Sequence, residues 1–336
     1  MRRDHSLPRG ELHRLRHESA VLKGNSLGDP TERELPVWTP PGWDKQESLP
    51  LLVDLTGYWG AGPGHTNWRP LGENVPERLD RLVYEGMPRV VVAFPDCFTR
   101  LYGNQYLNST GSGRYADYVC EEIVPFVEDR FACGGTGRRA VFGKSSGGYG
   151  AAWHGMHRAD FWSAIAINSG DMGFDALFIP TLYDDLELLR KHEYSIERYV
   201  THLEAQPKVK DKDRMCLMDL AMGAFYDPDP TQFRNMRLPI DPYTGELIPD
   251  RWANWMKHDP VVMLGDRLDE IRKLKAIWMD CGNHDQFRIH YGMRRFHGKL
   301  EAAGIAHTYE EYDDDHSDVD YRMDVFLPFL ARALQS

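Results

Sequence analysis

Short apolar runs recur along this chain and alternate with longer amphipathic stretches. The clearest strand candidates are 49–56, 89–95, 138–143, 163–168, 275–280 and 307–312, most of them short apolar runs. Between them, 115–130, 147–157, 286–303 and 321–334 carry apolar residues at helical spacing. The first 45 or so residues read as an antiparallel edge pair that ends in Thr39-Pro40-Pro41-Gly42-Trp43. Such alternation predicts an α/β chain, with a mostly parallel central sheet covered by helices on both faces. One interval breaks the rhythm. From 171 to 272 no good strand is found, only amphipathic helix at 182–191 and 196–205 and the turn-rich Tyr226-Asp227-Pro228-Asp229-Pro230. A structureless loop of that length is implausible. The expectation is therefore a single α/β domain over 1–336 with 171–272 inserted as a cap or lid.

Composition narrows the classes. Apolar residues at 42% and charged residues at 27% are enough for a sizeable core, and a net charge of −11 gives no footprint for a phosphate backbone. No nucleic-acid partner is expected. The five cysteines are odd in number and form no C-x-x-C pair, so neither a zinc knuckle nor a redox dithiol is indicated. No apolar stretch follows Arg2-Arg3, and no run approaches the roughly 18 residues of a membrane span. The expectation is no membrane association and a cytoplasmic location.

The chemistry concentrates in Val141-Phe142-Gly143-Lys144-Ser145-Ser146-Gly147-Gly148-Tyr149-Gly150. An apolar strand runs into G-x-S-x-G and then into a helix-compatible segment, which resembles the nucleophile elbow of the α/β-hydrolase fold. The turn is so tight that side chains flanking the serine would clash, hence the glycines. The same turn lifts the serine Oγ above the sheet edge, and the following helix N-terminus faces a developing oxyanion. Ser145 is the candidate nucleophile. Gly143-Lys144-Ser145 also resembles the end of a phosphate-binding loop, but the required first glycine falls on Arg138, and Ala140-Val141-Phe142 reads as strand.

In an elbow hydrolase the partners follow in the order acid, then histidine, each after a strand. Of the late histidines only His316 lies between the last strand and the last helix, in Asp313-Asp314-Asp315-His316-Ser317. Asp280 and Asp285 both follow or end the 275–280 strand. Asp285 is better placed, because Gly282-Asn283 lets the chain bend toward the last loop. A metal site built from His284, Asp285 and Asp313–His316 lacks a ligand pattern, so no metal and no cofactor are expected. One oxyanion donor is the amide of Ser146; the other belongs to the Gly-rich loop Thr56-Gly57-Tyr58-Trp59-Gly60.

These residues resemble the esterase D-like, or putative esterase, branch of the α/β-hydrolases. The resemblance starts at Val37-Trp38-Thr39-Pro40-Pro41-Gly42 and runs through Pro95-Asp96, Tyr106-Leu107-Asn108-Ser109 and Glu122–Glu128. It continues over Gly143–Gly150, Asn168-Ser169-Gly170, Asp280-Cys281-Gly282-x-x-Asp285-x-Phe287 and His316. It implies Ser145 as nucleophile, Asp285 as acid and His316 as base, with oxyanion donors at the Tyr58 and Ser146 amides. Lys144 and Ser146 replace the His or Met common beside the serine, and Ser317-Asp318-Val319-Asp320 replaces an aromatic after the histidine.

The expected activity is hydrolysis of a small-molecule carboxylic ester through an acyl-enzyme. Transfer of the acyl group to an alcohol or sugar, and a non-catalytic binding protein on the same fold, are the alternatives. Trp59, Asn108, Lys144, Trp252 and Trp255 are candidate substrate contacts, although aromatics in a cap more commonly pack it onto the body.

Overall fold

The computed structural model describes residues 6–335; the first five residues, which include Arg2-Arg3, and the last one lie outside them. Eight strands form one sheet: β1 (Glu11–Glu18), β2 (Glu32–Thr39), β3 (Leu51–Leu55), β4 (Val91–Ala93), β5 (Arg139–Lys144), β6 (Ala164–Asn168), β7 (Ala276–Gly282) and β8 (Thr308–Tyr312). Their order is β1-β2-β4-β3-β5-β6-β7-β8. β1 and β2 are antiparallel, as the sequence suggests, and β2 joins β4 antiparallel; every later pairing is parallel. This is the α/β-hydrolase fold.

Strand alternation builds two cores, one on each face of the sheet. Leu51, Val53, Leu55, Val141, Ile165, Ile277 and Met279 point to one face. Leu52, Phe142, Ala166 and Trp278 point to the other, where they meet α1 (Val75–Tyr84) and the carboxyl-terminal helix Met323–Ala333. Asn74 caps α1 through a reciprocal bond with Glu77. The predicted helix at 115–130 is a continuous helical run over 115–131 with a π-turn at Tyr118–Ile123, which follows the covering pattern of the larger core.

Between β6 and β7 lie α2 (Ile179–Leu189), α3 (Ile196–Glu204), α4 (Asp211–Tyr226) and α5 (Pro249–Met256), with shorter turns of helix around them. The two helices expected at 182–191 and 196–205 are α2 and α3. α4 and α5 escaped the periodicity argument. In α4 the run Cys216–Tyr226 is almost wholly buried, so it shows no amphipathic stripe. Among the described residues no helix is long and apolar enough to cross a membrane.

Candidate active site

β5 ends at Lys144, and helix Ser146–His157 starts two residues later, with Ser145 as the hinge. Ser145 sits at φ 56°, ψ −124°, a conformation L-residues rarely adopt outside a forced turn. The reason is crowding under the elbow. A Cβ on Gly147 would stand 1.8 Å from the Leu55 carbonyl oxygen of β3, so only glycine passes there. Ser146 is the first helical residue, so its amide has no intrahelical partner and is available to an anion.

The loop after β3 lies directly against this turn. A Cβ on Gly57 would lie 3.4 Å from the Lys144 carbonyl oxygen and 3.6 Å from Ser145 Cβ, and Gly57 and Tyr58 share one cavity with the nucleophile candidate. Tyr106 Oη donates to the Thr56 carbonyl at 2.6 Å, and Tyr58 Oη donates to the Leu101 carbonyl at 2.5 Å. Both buried phenols fix the loop from below.

Asp285 and His316 come from the loops after β7 and β8. These loops are laced by backbone bonds from Asn283 to the Tyr312 carbonyl (2.9 Å) and from His284 to the Asp314 carbonyl (3.0 Å). Gly282 allows it: a Cβ there would meet the Asp314 and Asp315 carbonyls at 2.3 and 2.6 Å. His316 Nδ1 then lies 2.7 Å from Asp285 Oδ2. Because the carboxylate only accepts, Nδ1 carries the proton and Nε2 keeps its lone pair. His316 is 8% exposed and Asp285 2%. The Phe287 ring meets the imidazole edge-on, with centroids 4.8 Å apart. Asp285 Oδ1 accepts from the Phe287 amide at 2.9 Å, which orients the carboxylate.

Asp280 has another task. Its oxygens accept from Asn168 Nδ2 (2.7 Å) and Arg322 Nε (2.8 Å), tying β7 to β6 and to the segment before the last helix. His284 and Asp313 form an exposed pair at 2.9 Å, away from Asp285 and His316, so the four do not converge as ligands. Among the described residues one group could converge on an ion, His297, Glu301 and His307, with His297 Nδ1 2.7 Å from His307 Nε2; it does not line the cavity at Ser145.

That cavity has a volume of about 490 Å³ and brings together Ser145, His316, Tyr58, Trp59 and Lys144. One wall is apolar: Leu177, Phe178, Met215, Met218 and Met222 from the segment between β6 and β7. A second part of the lining is charged or titratable: His65, Arg69, Lys144, Asp318 and Asp320. Burial pulls the Lys144 ammonium below its ordinary value, and Asp320, Asp318 and Asp285 oppose that pull. Burial also works against the His65 imidazolium, but Asp54, 2.6 Å away, outweighs it and raises the pKa. Three expected contacts are corrected. Asn108 does not line the cavity; its Oδ1 accepts from the Asp117 amide at 3.1 Å. Trp252 and Trp255 do not line it either; Trp255 is buried between Phe178 and Tyr226, at centroid distances of 5.4 and 5.7 Å, with Trp252 against it.

Asp171 is the neighbour that sequence reasoning missed. Ser145 Oγ donates to Asp171 Oδ1 at 3.3 Å, and among the described residues no hydrogen bond joins Ser145 to His316. A serine hydroxyl turns about one bond between staggered positions, and such contacts commonly close only with substrate in place.

The putative esterase family matches residues 25–328. This chain belongs to that family. It is an esterase. Solved structures with the same fold include a ferulic acid esterase, at 20% identity and TM-score 0.61, covering 97% of this chain and 99% of that one. An S-formylglutathione hydrolase from Agrobacterium tumefaciens is 18% identical at TM-score 0.59, covering 98% of each chain. The fluorophosphonate-binding serine hydrolase FphF of Staphylococcus aureus is 15% identical at TM-score 0.60, covering 96% of this chain and 99% of that one. No match is found among the curated proteins.

Proposed function

We propose that this member of the family hydrolyses small carboxylic esters with Ser145 as nucleophile, His316 as base and Asp285 as the acid that orients it. The observation that carries this reading is His316, bonded at 2.7 Å to the buried Asp285, lining one cavity with a serine held at φ 56°, ψ −124°. His316 Nε2 takes the Ser145 proton as Oγ attacks the ester carbonyl carbon, and the amides of Tyr58 and Ser146 receive the oxyanion. The imidazolium then protonates the leaving alcohol. Water, deprotonated by the same nitrogen, releases the acid and restores Ser145. Asp285 keeps Nδ1 protonated throughout. The residues 171–272 act as the cap: they supply the apolar wall, whose Met215, Met218 and Met222 adapt to varied acyl groups.

Turnover of p-nitrophenyl acetate and butyrate by the wild type, set against Ser145→Ala, tests this reading. Hydrolysis should fall by at least about 10³-fold in the variant. Near-normal turnover by folded Ser145→Ala would reject Ser145 as nucleophile.

A further inference from the structure

Asp171 follows Asn168-Ser169-Gly170 at the end of β6 and is only 6% exposed, yet it lines the cavity. Its two oxygens have different surroundings. Oδ2 accepts from Ser146 Oγ at 2.9 Å and faces Gln105 Nε2 at 3.4 Å, which ties the carboxyl to the elbow and to the buried floor. Among the described residues Oδ1 meets Ser145 Oγ alone, at 3.3 Å. A structural role accounts for Oδ2 and leaves Oδ1 aimed at the reacting atoms. The other residues that the segment between β6 and β7 contributes to the cavity are Leu177, Phe178, Met215, Met218 and Met222, none of which can hydrogen-bond strongly. Among the described residues Asp171 is therefore the single strong side-chain acceptor that this segment gives the cavity.

Its position decides what it can reach. Once Ser145 Oγ is bonded to the carbonyl carbon, the leaving oxygen belongs to His316, which must protonate it. The group left beside Asp171 Oδ1 is the first or second carbon of the acyl chain. We propose that Asp171 is a specificity residue, and that the preferred substrates are esters whose acyl group carries a hydrogen-bond donor, a hydroxyl or an ammonium, on its α or β carbon. The inference rests on the assignment of Ser145 and His316 given above. When Ser145 turns toward His316, Oδ1 loses its donor. A buried carboxyl without one is costly, and the acyl hydroxyl or ammonium replaces it. Burial raises the Asp171 pKa, and the Ser146, Gln105 and Ser145 side chains and His316 oppose the rise, so a cationic partner would favour its ionised form.

The test compares kcat/KM for the methyl esters of butyrate, 2-hydroxybutyrate, 3-hydroxybutyrate and 3-aminobutyrate, followed by acid release. At least one donor-bearing ester should exceed butyrate by about tenfold in the wild type. Asp171→Leu should bring that ratio near one. Asp171→Asn keeps an acceptor oxygen but no charge, so it should retain a hydroxyl preference and lose an ammonium preference. Each ratio is taken within one preparation, so a variant with a smaller folded fraction still reports. Equal rates for all four esters in the wild type, or a preference that survives in Asp171→Leu, would overturn the inference while leaving the nucleophile assignment standing. Failure of every ester together with Ser145 unreactive toward fluorophosphonate would overturn the assignment itself, and the inference with it.

Discussion

Two aspartates five residues apart illustrate what a sequence discloses at the scale of single residues. Asp280 and Asp285 are chemically identical candidates, and a turn at Gly282-Asn283 favours the second. The geometry adds the reason: Asp280 is fixed by strand pleating onto Asn168 and Arg322, whereas Asp285 meets His316. Asp285→Asn should leave the fold intact and lower turnover by about 10⁴-fold, through the wrong imidazole tautomer. Asp280→Asn should cost about 1–3 kcal/mol, because Arg322 loses one charged partner and keeps Glu310, with turnover per folded molecule kept. Thermal melts beside single-turnover rates separate the two; a folded, inactive Asp280→Asn with a normal Asp285→Asn would exchange their roles. Asp171, by contrast, was illegible. Nothing in Ser169-Gly170-Asp171 marks a carboxyl that approaches a serine 26 positions earlier, because that approach depends on how β5 and β6 align.

Among elements, strands β3 to β7 were legible because each is a short apolar run, whereas β1 and β8 carry charged residues along one half-exposed face and their place in the sheet order was not readable. The segment between β6 and β7 was legible only as a break in rhythm. Its buried helix α4 has no polar stripe, and its tryptophans look like ligand contacts until their packing is seen. Trp255 is fully enclosed by Phe178, Tyr226 and Trp252. Trp255→Ala should therefore cost about 3–5 kcal/mol and lower the Tm, with the ranking of ester substrates unchanged. Met218→Ala, at the cavity wall, should do the reverse; a changed ranking in Trp255→Ala at constant Tm would restore the contact role. The same helices hold a buried acid pair. Burial and the facing carboxyl raise Asp185, and burial pushes Asp219 up to about 7. A carboxyl raised in the folded chain contributes its stability below its unfolded value of 3.8 and loses it as pH climbs through about 7. Asp219→Asn removes that titration, so its Tm relative to wild type should rise between pH 5 and pH 8. A difference that is flat with pH would show that the pair does not titrate on folding.

For the whole molecule, the parallel sheet explains why the site sits where it does. β3, β5, β7 and β8 all end on the same edge, and their following loops deliver Tyr58, Ser145 and His316 to one cavity, with Asp285 bonded behind His316. The order of those residues along the chain was readable, since strand order and the elbow motif constrain it. The cavity's two walls were not, because one comes from the helices after β6 and the other from His65, Arg69, Asp318 and Asp320 at opposite ends of the sequence. The measurement that bears most directly on Ser145, His316 and Asp285 is mass-spectrometric mapping of a fluorophosphonate adduct, made on wild type and on His316→Ala. The expected result is a single adduct on Ser145, formed rapidly by wild type and far more slowly by His316→Ala. An adduct on Ser146 instead, or equal labelling rates with and without His316, would contradict it.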